Sequence, residues 1–123
     1  MSMEKSKLQE SVAQHYNSKQ IFDYESLRLT EHAPIEFAVT TRYLNKIIPD
    51  GAIVVDVGVG TGHYAELLAR RDCTLYLIDL SQRLLETTYT RLKNCNRDRQ
   101  ILGTYNISVT PIKNSLFVII ALH

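Results

Sequence analysis

The sequence predicts an α/β protein built on a doubly wound, mainly parallel β-sheet with helices before it. An apolar, largely β-branched run, Ile53–Val57, leads into alternating glycines, which is typical of a strand buried on both faces. A second apolar run, 74–78, ends on Asp79 about twenty residues further along the chain. Helical periodicity separates these runs, so the pattern indicates βαβ units.

The other elements follow from local patterns. Pro34 suits the first turn of a helix, whose apolar face carries four residues: Phe37, Thr41, Leu44 and Ile48. We predict crossover helices over 62–71 and 81–93, a weak third strand over 101–106 and a strongly apolar fourth strand over 116–122. Right-handed crossovers would arrange these strands in the order 3-2-1-4.

Composition limits the class of protein and its partners. The chain has 123 residues, 45% of them hydrophobic and 22% charged, which suits one packed domain. A net charge of +1 without a run of like charges is not the charge pattern of a protein that binds nucleic acid or an anionic membrane. The polar N-terminus and the absence of a long apolar run predict a cytoplasmic protein without a membrane span. Cys73 and Cys95 read as reduced thiols, and no metal spacing is present.

The glycine-rich turn after the first strand is the predicted ligand site. Gly58, Gly60 and Gly62 alternate, so the backbone can adopt positive φ and approach a ligand closely. The next helix would point its N–H groups over this turn. Asp79 ends the second strand, where a carboxylate can accept two hydrogen bonds from a ribose diol. The pattern predicts an adenosine site; a purely structural turn, with Asp79 as a turn or cap residue, is the alternative.

The spacing of the turn also separates two classes of cofactor. A dinucleotide fingerprint read from Gly58 needs a small residue at position 63, where the chain has His63. Asp56, at the head of the turn, puts negative charge where a pyrophosphate would lie. A nicotinamide dinucleotide is therefore disfavoured, and a ligand with cationic groups is favoured.

These residues carry a family resemblance. The run Asp56-Val-Gly-Val-Gly-Thr-Gly62, with Asp79-Leu-Ser81, resembles motif I and the next acidic position of class I S-adenosylmethionine-dependent methyltransferases. Segment 12–44 is similar to the lead-in of members that methylate small molecules. The resemblance implies that Asp56 and the glycine turn hold the methionine end of the cofactor, while Asp79 binds the ribose hydroxyls. It divides the chain into a helical lead-in or lid, 1–48, and a partial Rossmann-like S-adenosylmethionine-binding domain, 49–123.

The resemblance adds weaker site residues. Asn106, at the end of the third strand, would face the adenine as a hydrogen-bond acceptor, although an ordinary turn role stands equally open. Ile107 would supply a backbone N–H and apolar cover for the ring, and Leu80 belongs to the same predicted cofactor set. Three lead-in residues are lid candidates, with simple packing as their alternative: Tyr16, Tyr24 and Arg28. No catalytic base is identifiable.

The predicted function is methyl transfer to an unidentified small molecule, with this chain as the cofactor-binding half. The family fold has about seven strands, whereas this sequence ends just beyond the fourth, so we expect little or no turnover from the chain alone. Whether it is a fragment, a truncated gene product or part of an assembly stays open. A non-catalytic cofactor-binding remnant and a nicotinamide-dependent oxidoreductase half-domain are the alternatives.

The fourth predicted strand suggests a partner. Segment 116–122 is apolar throughout, and no lysine, proline or bulge blunts its edge. An edge of this kind is a template for pairing with another chain. We therefore expect self-association through the C-terminal strand.

Overall fold

The computed structural model describes residues 3–20, 23, 31, 34–107 and 118–122, with the backbone alone for 3–6, 15, 16 and 118–122. Among the elements that the structure describes, the helices α1 (Met3–Asn17) and α2 (Pro34–Ile47) come first. The strand β1 (Ile53–Val57), the helix α3 (His63–Ala69) and the strand β2 (Thr74–Asp79) follow. The remaining elements are α4 (Gln82–Asn94), a 3-10 turn (Asp98–Gln100), β3 (Ile101–Asn106) and β4 (Val118–Leu122).

The sheet confirms the predicted strand order, 3-2-1-4. β1 pairs in parallel with β2, and β2 in parallel with β3, so the α/β fold with a parallel sheet of Rossmann-like type is confirmed. β4 corrects one expectation, because it runs antiparallel to β1, with Val118 opposite Val57 and Leu122 opposite Ile53. A right-handed crossover would have made it parallel.

The direction of β4 has a simple geometric reason. β3 ends at Asn106, at the carboxyl edge of the parallel strands, and β4 begins at Val118 beside the end of β1, at that same edge. A parallel return needs a crossover of a dozen or more residues, usually a helix, whereas an antiparallel strand can start from the edge the chain has reached. Self-association through this strand stays a prediction.

The hydrophobic core lies on one face of the sheet. Val54, Leu75 and Leu77 point into it and are fully buried, together with Leu68 of α3 and Leu92 of α4. On the opposite face β1 is partly exposed, and 39% of the surface of Ile53 remains accessible. The expectation that β1 would be covered on both faces is therefore not met within the described residues, where α3 and α4 pack on the core side.

Helix α2 joins the same core. Leu44 and Ile48 are buried in it, and Phe37 packs its ring against Tyr64 with centroids 5.4 Å apart. Arg71 closes the C-terminal end of the helix by donating to the backbone oxygens of Leu44 and Ile48. Cationic donors at this position satisfy carbonyl groups that have no partner inside the helix. Within the described residues, every helix is too short or too polar to cross a membrane.

Candidate functional site

The glycine turn is fixed against the second strand before it leaves the sheet. The Gly58 N–H donates to the Ile78 backbone oxygen at 2.8 Å, which extends the β1–β2 ladder by one bond. Gly58, Gly60 and Gly62 all adopt positive φ, of 74°, 58° and 91°. Only glycine takes up such a series at little cost, so the alternating glycines are required by the path of the backbone. The turn then enters α3 with Gly62 as its N-terminal cap residue.

Side chains of helix α4 donate hydrogen bonds to backbone oxygens of this turn. Thr88 donates its Oγ1 hydrogen to the Gly60 backbone oxygen at 3.3 Å, and Arg91 donates from Nε to the Thr61 backbone oxygen at 2.7 Å. Arg91 also lies 3.6 Å from the carboxylate of Glu66. Two carbonyl groups of the turn are thus held by α4. Sequence reasoning missed this role of Thr88 and Arg91, whose only signal is their place on the helix that follows β2.

Gly62 has a packing role in addition to its place in the predicted site. A Cβ at this position would lie 2.9 Å from Thr88 Cγ2 and 3.1 Å from Thr88 Cα. The second distance involves backbone, so a side chain at position 62 would force α3 and α4 apart. The close approach of these two helices accounts for this glycine, and its contact with a cofactor stays a prediction.

Asp56 is a buried carboxylate at the head of the turn. It is 1% exposed, and its Oδ2 has no hydrogen-bond partner within the described part of the chain. Burial raises the pKa of Asp56 from 3.8 to about 7, with the neighbouring charge of Asp79 acting in the same direction. A buried carboxylate without a full set of partners is unfavourable unless it takes up a proton or meets a cation.

Asp79 ends β2 in a different environment. Its Oδ1 accepts a hydrogen bond from the Ser81 N–H at 2.8 Å. Ser81 is fully buried, caps α4 by accepting from the Leu84 N–H, and donates its hydroxyl to Asn17 Oδ1 at 2.5 Å. The end of α1 is therefore linked through Ser81 to the carboxylate of Asp79. Sequence reasoning missed the contact between Asn17 and Ser81.

The end of β3 lies at the same carboxyl edge of the sheet as the ends of β1 and β2. Asn106 pairs with Asp79 in the sheet, and its Nδ2 donates to the backbone oxygens of Asp79 and Leu80 at 3.2 and 2.9 Å. The amide oxygen Oδ1 is then the atom able to accept from an amino group. Ile107, 52% exposed, follows at the surface of this edge. The structure thus brings Asp56, Asp79, Leu80, Asn106, Ile107 and the glycine turn to the carboxyl ends of three parallel strands.

The predicted lid residues lie outside what the structure describes, either wholly or in their side chains. Tyr16 belongs to α1, whose end at Asn17 contacts Ser81, and only its backbone is described. Tyr24 and Arg28 lie outside the described residues. Their role as a lid stays a prediction. Among the residues that the structure describes, no cluster of side chains is able to hold a metal ion.

The edge of the sheet has features that fit a cationic nucleoside cofactor. The orphaned Oδ2 of Asp56 offers a negative charge, the carboxylate of Asp79 lies at the end of the next strand, and the turn between them has backbone suited to close approach. These features fit a ligand that combines a ribose with positive charge. A pyrophosphate would meet the carboxylate of Asp56 instead of a cation.

Comparison with known proteins agrees with the motif. Residues 55–120, just over half of the chain, match the family model described as a methyltransferase domain. No curated protein and no solved structure matches the chain. The matched segment begins inside β1 and contains the glycine turn, both acids at the strand ends and β3. The chain belongs to the class I S-adenosylmethionine-dependent methyltransferase family.

Proposed function

We propose that this chain binds S-adenosylmethionine at the glycine turn and is the cofactor-binding part of a methyltransferase for a small molecule. One observation carries the proposal. Asp56 is a buried carboxylate with an unpartnered oxygen within the described residues, and it stands at the head of the turn. Leaving it ionised is costly in isolation, so the site favours a ligand that brings positive charge.

The residues present suit the parts of this cofactor. Asp56 favours its cationic methionine end, the turn offers close backbone approach, and Asp79 offers a carboxylate to the ribose hydroxyls. Asn106 offers Oδ1 to the adenine amino group. When bound, the cofactor supplies a methyl group on a positively charged sulfur, and the protein's part is to hold that sulfur in line with an acceptor.

The charge of the chain supports a small acceptor. A net charge of +1 without clustered basic residues gives no electrostatic path for a nucleic-acid backbone. We expect no binding of a labelled RNA or DNA duplex in fluorescence anisotropy at physiological salt. A dissociation constant at or below the micromolar range would contradict a small acceptor and favour a nucleic-acid substrate.

Calorimetry of cofactor binding tests the proposal. S-adenosylmethionine and its demethylated product should both bind the chain, and Asp79→Ala should weaken binding by about 1.5 to 3 kcal/mol through loss of charge-assisted hydrogen bonds. Gly60→Val should abolish binding, because its φ of 58° suits no β-branched residue and the side chain would block the turn. Asp50→Ala is the matched control, since Asp50 bonds only Arg71 in the described contacts and its side chain is 79% exposed.

Two other outcomes would redirect the assignment. Tight NADH binding that S-adenosylhomocysteine does not displace would support the oxidoreductase alternative. Cofactor binding by the chain and by every longer form of the protein, without methyl transfer to any acceptor fraction, would support the non-catalytic binding module. A folded chain that binds neither cofactor would remove the proposal.

A further inference from the structure

Asn17, the last residue of α1, contacts the segment that follows β2. Its Oδ1 accepts the hydroxyl hydrogen of Ser81 at 2.5 Å, and its backbone oxygen accepts from Arg83 Nη1 at 3.2 Å. Ser81 lies two residues beyond the end of β2, and its own N–H donates to the carboxylate of Asp79. Ser81 therefore joins the end of α1 to the acid at which the ribose is expected.

The contact with Ser81 fixes which way the amide of Asn17 points. The Ser81 side chain is fully buried, and its Oγ already accepts from the Leu84 N–H at 3.2 Å. Its hydroxyl hydrogen needs an acceptor, because a buried O–H without one is unfavourable. Asn17 Oδ1 is that acceptor. The Nδ2 group of Asn17 then keeps both of its N–H donors, since it makes no hydrogen bond within the described residues.

Asn106 contacts the same segment with the opposite end of its amide. Its Nδ2 donates to the backbone oxygens of Asp79 and Leu80, so its two N–H groups are used by the protein and its Oδ1 is left over. Asn17 gives its Oδ1 to the protein and has its N–H groups left over. Of these two amides, Asn17 is therefore the one that can donate to a ligand.

A ribose bound at this edge needs such a donor. Each of its hydroxyl groups has one hydrogen to donate and lone pairs that accept, whereas the ionised carboxylate of Asp79 can only accept. We infer that Asn17 binds the ribose of the cofactor by donating from Nδ2 to a hydroxyl oxygen, while Asp79 accepts from the hydroxyl hydrogens. The assignment rests on the proposed function, because it requires a nucleoside at this edge, and it makes the end of α1 part of the site.

Deoxy forms of the ligand test this hydrogen bond. Asn17→Asp removes the N–H donors and keeps an oxygen that accepts from Ser81. Calorimetry near neutral pH compares S-adenosylhomocysteine with its 2′-deoxy and 3′-deoxy forms, and each ratio of affinities isolates one hydroxyl from the general effect of the added charge. In Asn17→Asp one of the two ratios should fall about fivefold and the other should not change, because one hydroxyl has lost one hydrogen bond. Asn17→Ala should lower the same ratio.

Asn94→Asp is the matched control, since Asn94 is likewise an exposed asparagine at the last position of a helix, α4. It should leave both ratios at their wild-type values. Hydrogen exchange in α1 of unliganded Asn17→Asp should match the wild type, because the oxygen that accepts from Ser81 is kept.

Two results would overturn the inference. If both Asn17 variants bind S-adenosylhomocysteine with unchanged ratios, Asn17 only holds α1 in place, and the proposed function stands. In that case all three ligands lose affinity together or none does. If the folded wild-type chain binds no S-adenosylhomocysteine, the inference and the proposed function both fall.

Discussion

The ends of β1 and β2 offer a direct comparison of two similar acids. Asp56 and Asp79 lie near the carboxyl ends of neighbouring parallel strands, and both are buried. Asp79 accepts a hydrogen bond from the Ser81 N–H, whereas Oδ2 of Asp56 has no partner within the described residues. The end of β2 is thus stabilised by the protein itself. The end of β1 is stabilised by a proton or by a cationic ligand, and this difference indicates where binding energy is gained.

The largest expected effect comes from neutralising Asp56. The unfolded chain releases the proton of Asp56 near its ordinary pKa of 3.8, and the folded chain keeps it until about pH 7, so the free energy of unfolding falls as pH rises between these values. Asp56→Asn should lack this decline and gain stability on the order of 4 kcal/mol above pH 7. Urea unfolding of both proteins between pH 5 and 8 measures the difference.

Substitutions of two other aspartates test whether the effect is specific to Asp56. Asp79→Asn should bring no comparable gain, since the carboxylate of Asp79 already accepts from Ser81. Asp50→Asn, at an exposed ion pair with Arg71, should leave the pH dependence unchanged. Parallel pH profiles for wild type and Asp56→Asn would show that Asp56 is fully satisfied in the folded chain.

The second largest effect separates two glycines of positive φ. Gly51 has φ of 76°, and a Cβ added there would meet nothing within 4 Å, whereas a Cβ on Gly62 meets Thr88. Gly51→Ala should cost about 1 to 2 kcal/mol from backbone strain. Gly62→Ala should cost about 1 to 3 kcal/mol more, because α3 and α4 must separate. Equal losses of unfolding free energy would refute the packing role of Gly62.

The strands and turn of the site could be predicted because their signals are local. The run Ile53–Val57, the three glycines and the acid after 74–78 each specify a strand, a turn and a strand end within a few residues. The order 3-2-1 of the parallel strands agrees with the rule of right-handed crossovers. The direction of β4 could not be predicted in this way, because it depends on the edge at which the chain re-enters the sheet after β3.

The contacts around the site could not be predicted, since they join distant segments. Thr88 and Arg91 reach the turn across about thirty residues of sequence, and Asn17 reaches Ser81 across more than sixty. Periodicity found the core face of α2 and missed the exposed apolar side chains on its other face. A single apolar face satisfies the helical pattern, so the second face stands out only once exposure is known.

A smaller effect tests whether Arg91 of α4 positions the glycine turn. Arg91→Ala removes the donor to the Thr61 backbone oxygen and should cost about 1 kcal/mol of unfolding free energy, with weaker cofactor binding. Arg91→Lys keeps the charge beside Glu66 and should recover part of the stability. If binding affinity is unchanged in Arg91→Ala, then α4 supports the fold without positioning the turn.

The smallest expected effect concerns the hydroxyl of Thr88. Thr88→Val keeps the shape that packs on Gly62 and removes the 3.3 Å hydrogen bond to the Gly60 backbone oxygen. The long bond predicts a loss of about 0.5 kcal/mol in thermal or urea unfolding. A loss of unfolding free energy as large as that of Arg91→Ala would show that this hydrogen bond stabilises the turn more than its length suggests.

Proton release on cofactor binding tests the central difference between the two acids most directly. At pH 6 the raised pKa keeps Asp56 largely protonated in the unliganded chain, and a cationic ligand should drive that proton off. Calorimetry of S-adenosylmethionine binding in two buffers of different ionisation enthalpy counts the protons released. We predict release approaching one proton for the wild type and close to none for Asp56→Asn, with Asp79→Asn in between, because removing the charge of Asp79 lowers the pKa of Asp56 while its burial remains. Binding without proton release by the wild type would contradict the account.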